Sequence, residues 1–218
     1  MGDCAPSTGS PSLLSSPESV LTSSYSHPSP CSLRTLSDCR LIIGRYPPFR
    51  YDASRGGGEG WLETAAANGI QPLHFDLSNL MIPRLSWRTT RFLGLPLPPG
   101  ISISIQPEIL EGNLNSHTGA MALNFKARFQ ADFAGLYQSR DLIVVTELSS
   151  GQSKGRRHNA SGSVLQSSGE VVLAGIATIE PTGDIWLDRF LGLPDEALAV
   201  LRCQLTITPP SILTARHP

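Results

Sequence analysis

From Trp61 onward apolar and polar residues alternate with a period of two, the spacing that turns one face of a β-strand inward and the other outward. The clearest run is MALNFKARFQADF. Every odd position from Met121 to Phe133 is apolar there, while Asn124, Lys126, Arg128, Gln130 and Asp132 take the other face. At about 3.3 Å per residue such a strand extends roughly 40 Å, so it is expected to bend within a sheet that curls. One wet face and one buried face is the mark of antiparallel sheet.

Other segments follow the same rule. PLHFDLS alternates Leu73, Phe75 and Leu77 against His74, Asp76 and Ser78, and ISISI alternates from Ile101 to Ile105. Pro107 then lacks the N–H a ladder needs, which predicts an edge or a bulge. DLIVVTEL, GSVLQ, EVVLAGIATI and AVLRCQLTI read as further strands, with turn chemistry at NSHTG, SSG and PTGD. WLETAAANG has the composition of a short helix stopped by Asn68-Gly69. Alternating βα units are missing, which argues against a doubly wound or barrel α/β fold. The expected architecture is mainly β: a curled antiparallel sheet, two-layer sandwich or half-barrel with one or two short helices.

Residues 1–58 are of a different material. They are crowded with Ser and Pro and show no hydrophobic period, so the sequence predicts a disordered tail followed by a single β-rich domain over residues 59–218. RGGGEG, from Arg55 to Gly60, reads as the hinge between them. The tail is short of acids (Asp3, Glu18, Asp38, Asp52) and gains Arg34, Arg40, Arg45 and Arg50, traits of a Ser-rich plastid transit peptide. Chloroplast delivery is therefore the expected address, with a plain cytoplasmic tail as the alternative.

The hexapeptide RFLGLP occurs twice, at Arg91–Pro96 and at Arg189–Pro194, each time after a Trp and before a period-two strand. Trp186 and Phe190 are four apart, which a short helical turn would place side by side. Each copy reads as a corner in which Gly permits a tight turn and Leu-Pro forces an extended exit. Two readings follow. The corners plug the ends of the core, or Phe92, Leu93, Phe190 and Leu191, with Trp87 and Trp186, form the lips of a cavity or a docking surface.

Composition narrows the partners. The 218 residues are 40% hydrophobic and only 16% charged, with a formal net charge of -1, so no global field steers the chain toward nucleic acid or an anionic membrane, and such a partner would have to be met through a local patch. No run reaches the roughly 18 apolar residues of a membrane-spanning helix, which leaves peripheral membrane contact open. Four cysteines without a C-x-x-C are neither a disulfide framework nor a zinc site, and those in the tail read as incidental thiols. His74 and Asp76 share a strand face but have no third ligand. No nucleophile elbow, zinc helix or phosphate loop is present, so neither catalytic residues nor a cofactor are assigned. SKGRRHNAS holds the one basic cluster, and Lys154, Arg156 and Arg157 are candidates for binding an anion. The expected function is a non-enzymatic domain that binds an apolar small molecule or lipid. The alternatives are an assembly factor docking on a plastid protein complex through its apolar corners and, behind it, an enzyme without a recognisable motif.

Overall fold

The computed structural model describes residues 28–208. The chain begins with β1 (Ser29–Thr35), β2 (Cys39–Ile43), β3 (Phe49–Tyr51), β4 (Gly57–Leu62) and β5 (Ile70–Phe75). Three short pieces follow, β6 (Leu85–Ser86), β7 (Thr90–Phe92) and β8 (Leu95–Pro96). The long strands come next: β9 (Ile101–Asn115), β10 (Met121–Phe133), the brief β11 (Tyr137–Gln138) and β12 (Leu142–Ser149). A small hairpin of β13 (Gln152–Lys154) and β14 (Asn159–Ser161) precedes β15 (Glu170–Ile179), helix α1 (Ile185–Leu191) and β16 (Asp195–Ile207).

The sheet is antiparallel and curls until it meets itself. Its order runs β1-β4-β5-β9-β10-β12-β15-β16, and β16 pairs back onto β1. The sequence-predicted class is therefore met as a barrel. Strand β16 is longer than β1, so its outer edge serves two partners. Leu205 and Cys203 face Leu33 and Thr35 of β1, whereas Val200 to Ala197 face Arg40 to Ile43 of β2. From β2 the sheet continues through β3 and β7 to β8, and β6 lies against the start of β9. The seam between β12 and β15 holds one backbone pair, Ser149 with Ala174. One hydroxyl also spans it, Thr146 Oγ1 donating to the Ile176 carbonyl at 2.9 Å, while from β13 Ser153 Oγ donates to the Ala174 carbonyl at 2.9 Å.

Three expectations need correction. The tail does not extend to Gly58, because residues 29–62 supply β1 to β4, two of which lie in the closed ring. Their pairing partners, β16 and β5, lie later in the chain, and a hydrophobic period is too short to see in strands of three to seven residues. Only residues 1–27 of the proposed tail lie outside the described residues. Cys31 and Cys39 are accordingly buried core residues, as is Cys203, and burial lifts Cys31 to about 11 and Cys203 to about 12. WLETAAANG is not a helix but the hairpin from β4 to β5. The Gly69 N–H donates to the Ala66 carbonyl, and Asn68 Oδ1 accepts from the Ile70 N–H. GSVLQ makes only an isolated bridge, Ser163 with Val172.

The two halves of the barrel interior differ. Around the ends of β9 and β16 it is filled by Leu33, Leu62, Leu73, Leu123, Val171, Leu173, Cys203 and Leu205 with their neighbours. Pro107 marks the predicted bulge. Ala127 pairs with Pro107 and Lys126 with Ile109, leaving Glu108 as the extra residue. The extra residue switches the inward phase of β9 from odd positions (Ile103, Ile105) to even ones (Leu110, Leu114), which the sequence alternation requires. Outward positions carry Ser104, Gln106, Glu111 and Asn124, interspersed with exposed Ile109, Ile143 and Val145.

Candidate functional site

Antiparallel pairing brings the start of β9, the end of β10, the starts of β12 and β16 and the end of β15 to one end of the barrel. Here the interior is hollow. A cavity of about 470 Å³ opens at this end, within the roughly 300–1,000 Å³ range of small-molecule pockets. Its cause can be read along the two strands of the wall. The inward positions of β15 are Val171, Leu173, Gly175 and Ala177, and those of β16, paired across, are Cys203, Leu201, Ala199 and Ala197. Side chains shrink from leucine-sized to methyl or hydrogen on both strands at the same level. Ala131 of β10 adds a fifth small position, on a third strand, to the lining.

The remaining walls are large and apolar: Leu41 and Ile43 of β2, Ile103 and Ile105 of β9, Phe125 and Phe129 of β10, and Leu142 and Val144 of β12. Neither a carboxylate nor a Lys, Arg or His side chain lines the cavity. Its polar groups are hydroxyls already engaged. Tyr51 donates to the Pro83 carbonyl, and burial raises the pKa of this phenol. Ser139 Oγ accepts from the Ala131 N–H and donates to the Arg140 carbonyl.

A chain of rings borders the opening. Phe49 stacks on Phe92 with centroids 4.8 Å apart, Tyr46 lies 6.4 Å from Phe92 and 5.6 Å from Phe190, and Phe190 stacks on Trp186 at 5.2 Å. Trp186 in turn meets Phe133 and Tyr137 edge-on. Tyr46 locks the middle by donating its hydroxyl to the Phe190 carbonyl at 2.6 Å. Tyr137 donates to Asp184, a bond that lifts the phenol to about 12 and holds the Asp184 carboxyl below its ordinary range.

The twin hexapeptides meet here in two different folds. The first is a hairpin: Phe92 pairs with Leu95, and Leu93 and Gly94 turn with φ of 51° and 82°, both positive as a two-residue type I′ connection demands. The second is a helix end. Asp184 caps α1 by accepting from the N–H groups of Trp186 and Leu187, and Gly192 closes it in the left-handed region at φ 70°. The flanks decide between the two. Thr89-Thr90 and the prolines after Leu95 favour strand, whereas Asp184, with Asp188 accepting from Thr182 and Gly183, nucleates a helix.

Of the sequence-predicted contacts, Phe92, Phe190 and Leu191 line the cavity. Trp186 belongs to the rim, Leu93 projects from the hairpin tip, and Trp87 is half-exposed in the turn between β6 and β7 beneath the Arg88 guanidinium. Tyr46, Phe49 and the four small wall residues were not singled out. The signal for the latter was present, as Gly and Ala at inward positions of strands that elsewhere carry Val and Leu.

The basic loop has its own anion. Glu196, 3% exposed, accepts from the backbone N–H groups of Arg156 at 2.6 Å and Arg157 at 2.8 Å, while Arg157 Nε lies 3.2 Å from buried Asp195. The Arg157 N–H bond foremost, with that of Arg156, holds the Glu196 carboxyl below its ordinary range. Lys154 stands on the exposed side of β13, apart from this pair. His74 sits between Glu63 at 3.2 Å and Glu111 at 3.7 Å, whereas Asp76 is engaged by Ser78 and Asn79. Among the described residues no group of three or more His, Cys, Asp or Glu is placed to hold a metal.

Fold and site together define a closed antiparallel β-barrel, filled at one end and hollow and aromatic-rimmed at the other. Compared with models of known protein families, with characterised proteins and with solved structures, the chain matches none.

Proposed function

We propose that this protein binds an uncharged, apolar small molecule, such as a lipid chain or a comparable hydrocarbon-rich compound, in the hollow half of its barrel. The observation that carries the reading is the cavity of about 470 Å³ with no acidic or basic side chain in its lining. A charged ligand group placed inside would be desolvated without a partner, whereas an apolar one gains about 25 cal/mol per Å² removed from water. The Tyr51, Ser139 and Thr146 hydroxyls of the lining are engaged with backbone groups, and no carboxylate or imidazole lines the cavity beside them to act as a base, which favours a binder over a catalyst.

The test fills the hollow. Ala131→Leu with Ala199→Leu places branched side chains on two walls. The wild-type protein is expected to take up the neutral fluorescent probe N-phenyl-1-naphthylamine saturably, and the double variant to bind it at least tenfold more weakly with an unchanged or higher urea midpoint. Absence of saturable uptake by the wild type would sink the reading. So would a double variant destabilised by about 1–3 kcal/mol, the mark of overpacking in a solid interior.

The proposed plastid address rests on residues 1–27, which are Ser-rich with Asp3 and Glu18 as their acids; the arginines that supported it belong to β1, β2, β3 and the turn between the last two. A fluorescent protein carrying residues 1–27 at its N-terminus should enter plastids of a plant cell. A diffuse cytosolic signal would remove that address.

A further inference from the structure

The hollow end of the barrel is also where large apolar side chains stand in water. Leu136 is 91% exposed, Ile185 76%, Leu93 71% and Leu95 70%, with Trp186 and Phe190 at 49% each. They come from three separate connections: the β7–β8 hairpin, the turn after β10 and the segment carrying α1. None is needed to close the core. Leu93 even holds a positive φ of 51° in a turn where Asn or Gly would rest more easily.

Charge at this end is arranged in a matching way. Asp132, Asp184 and Asp188 accept hydrogen bonds from their own loops, Asp195 faces Arg157, and Asp141 faces Arg128. Arg45 in the turn between β2 and β3, Arg140 just before β12 and Arg189 on α1 are exposed and make no ion pair among the described residues, while Glu180, on the segment leading to α1, is an exposed acid. Apolar tips with aromatic rings at their base and outward cations between them fit one medium: a bilayer surface with an apolar interior and anionic headgroups.

We propose that the protein docks mouth-down on a bilayer containing anionic lipid, so that the cavity is loaded and emptied through the membrane surface. The loading half of this statement rests on the cavity reading above; the docking half does not. A rigid protein partner fits the rim less well. The tips project singly around an opening, so a fluid medium fills the spaces between them and still leaves the mouth continuous with an apolar phase. A protein cap would seal it.

Flotation of the full chain with vesicles tests the docking, using phosphatidylcholine alone and phosphatidylcholine with phosphatidylglycerol, at low and high salt. The protein is expected to float with the anionic vesicles and to be released by salt. Leu95→Glu with Ile185→Glu, neither of which lines the cavity, should weaken flotation at least tenfold while uptake of N-phenyl-1-naphthylamine in vesicle-free buffer stays as in the wild type. Brominated lipid should quench the tryptophan fluorescence, and Trp186→Phe should remove most of that quenching. Failure to float with probe uptake intact overturns the docking and leaves the cavity reading standing. Flotation that the double variant retains overturns it in favour of another face. Absence of flotation with a concentration-dependent dimer that the same substitutions dissolve assigns the rim to a second copy of the chain.

Discussion

Replacing Phe190 by alanine distinguishes a lip from a plug. A phenylalanine packed in a solid core costs about 3–5 kcal/mol when cut to alanine, because transfer free energy is lost and a void is created. Phe190 is 49% exposed and faces an existing hollow, so about half of the transfer contribution is at stake and little new void forms. Its stacking on Trp186 adds roughly 0.5–1.5 kcal/mol. The expected loss is about 1–2 kcal/mol. Phe92, partly buried and stacked on Phe49, should behave alike. Leu123, with 0% exposure in the filled half, provides the contrast: Leu123→Ala should cost about 3–5 kcal/mol. Urea melts report all three, provided the denaturant slope is unchanged so that the midpoint measures stability. A Phe190→Ala loss equal to that of Leu123→Ala would refute the reasoning, since it would make the hexapeptides plugs of a packed interior.

Three further outcomes are expected. Because the carboxyl of Glu196 is held below its ordinary range in the folded state, its contribution to stability is present above the ordinary glutamate range and is lost as pH falls toward the depressed value; Glu196→Gln should flatten that acid limb, and an identical limb in the variant would contradict it. A chain beginning at Gly60 lacks β1, which bridges β16 and β4, so it should lose the cooperative thermal transition; a melt like that of the full chain would show the ring closes without β1. Cys31, Cys39 and Cys203 are buried with thiols raised by desolvation, so a thiol reagent at neutral pH should leave these three unmodified in the native protein and reach them only after unfolding, as read by peptide mapping.

What the sequence disclosed depended on strand length. In β10 seven inward positions repeat the same choice, and a period of two over thirteen residues has no competing explanation. The Pro107 bulge was legible for a similar reason, since a missing N–H is a fact of the residue itself. Strand β3 is three residues and β7 is three; no period is visible in so few, and their pairing is set by contacts tens of residues away. SPCSLRT of β1 looked like tail because its composition is that of a tail. It is ordered by two neighbouring strands, each of which holds it through a ladder of backbone bonds that composition does not reveal. The helix expected at WLETAAANG failed on the same ground: local propensity is a weak prior where flanking strands already fix both ends of the segment.

The site was half legible, and the missing half shows where its information lies. The twin hexapeptides drew attention to Phe92 and Phe190 by repetition, although identical letters form a hairpin in one place and a helix end in the other. Their likeness is one of composition and location rather than of conformation. Each delivers a phenylalanine to the same side chain, Tyr46, whose own position in a short turn gave no sign of a role. The hollow itself comes from what is absent at Gly175, Ala177, Ala197 and Ala199, four ordinary small residues that matter only because β15 and β16 pair them at one level. The filled half, with Leu173 and Val171 on β15 and Leu201 and Cys203 on β16 at the inward positions two and four residues away, carries the stability that lets its neighbour stay open. A hollow barrel end is therefore written as a step in side-chain size along paired strands, a signal that becomes readable once the register is known.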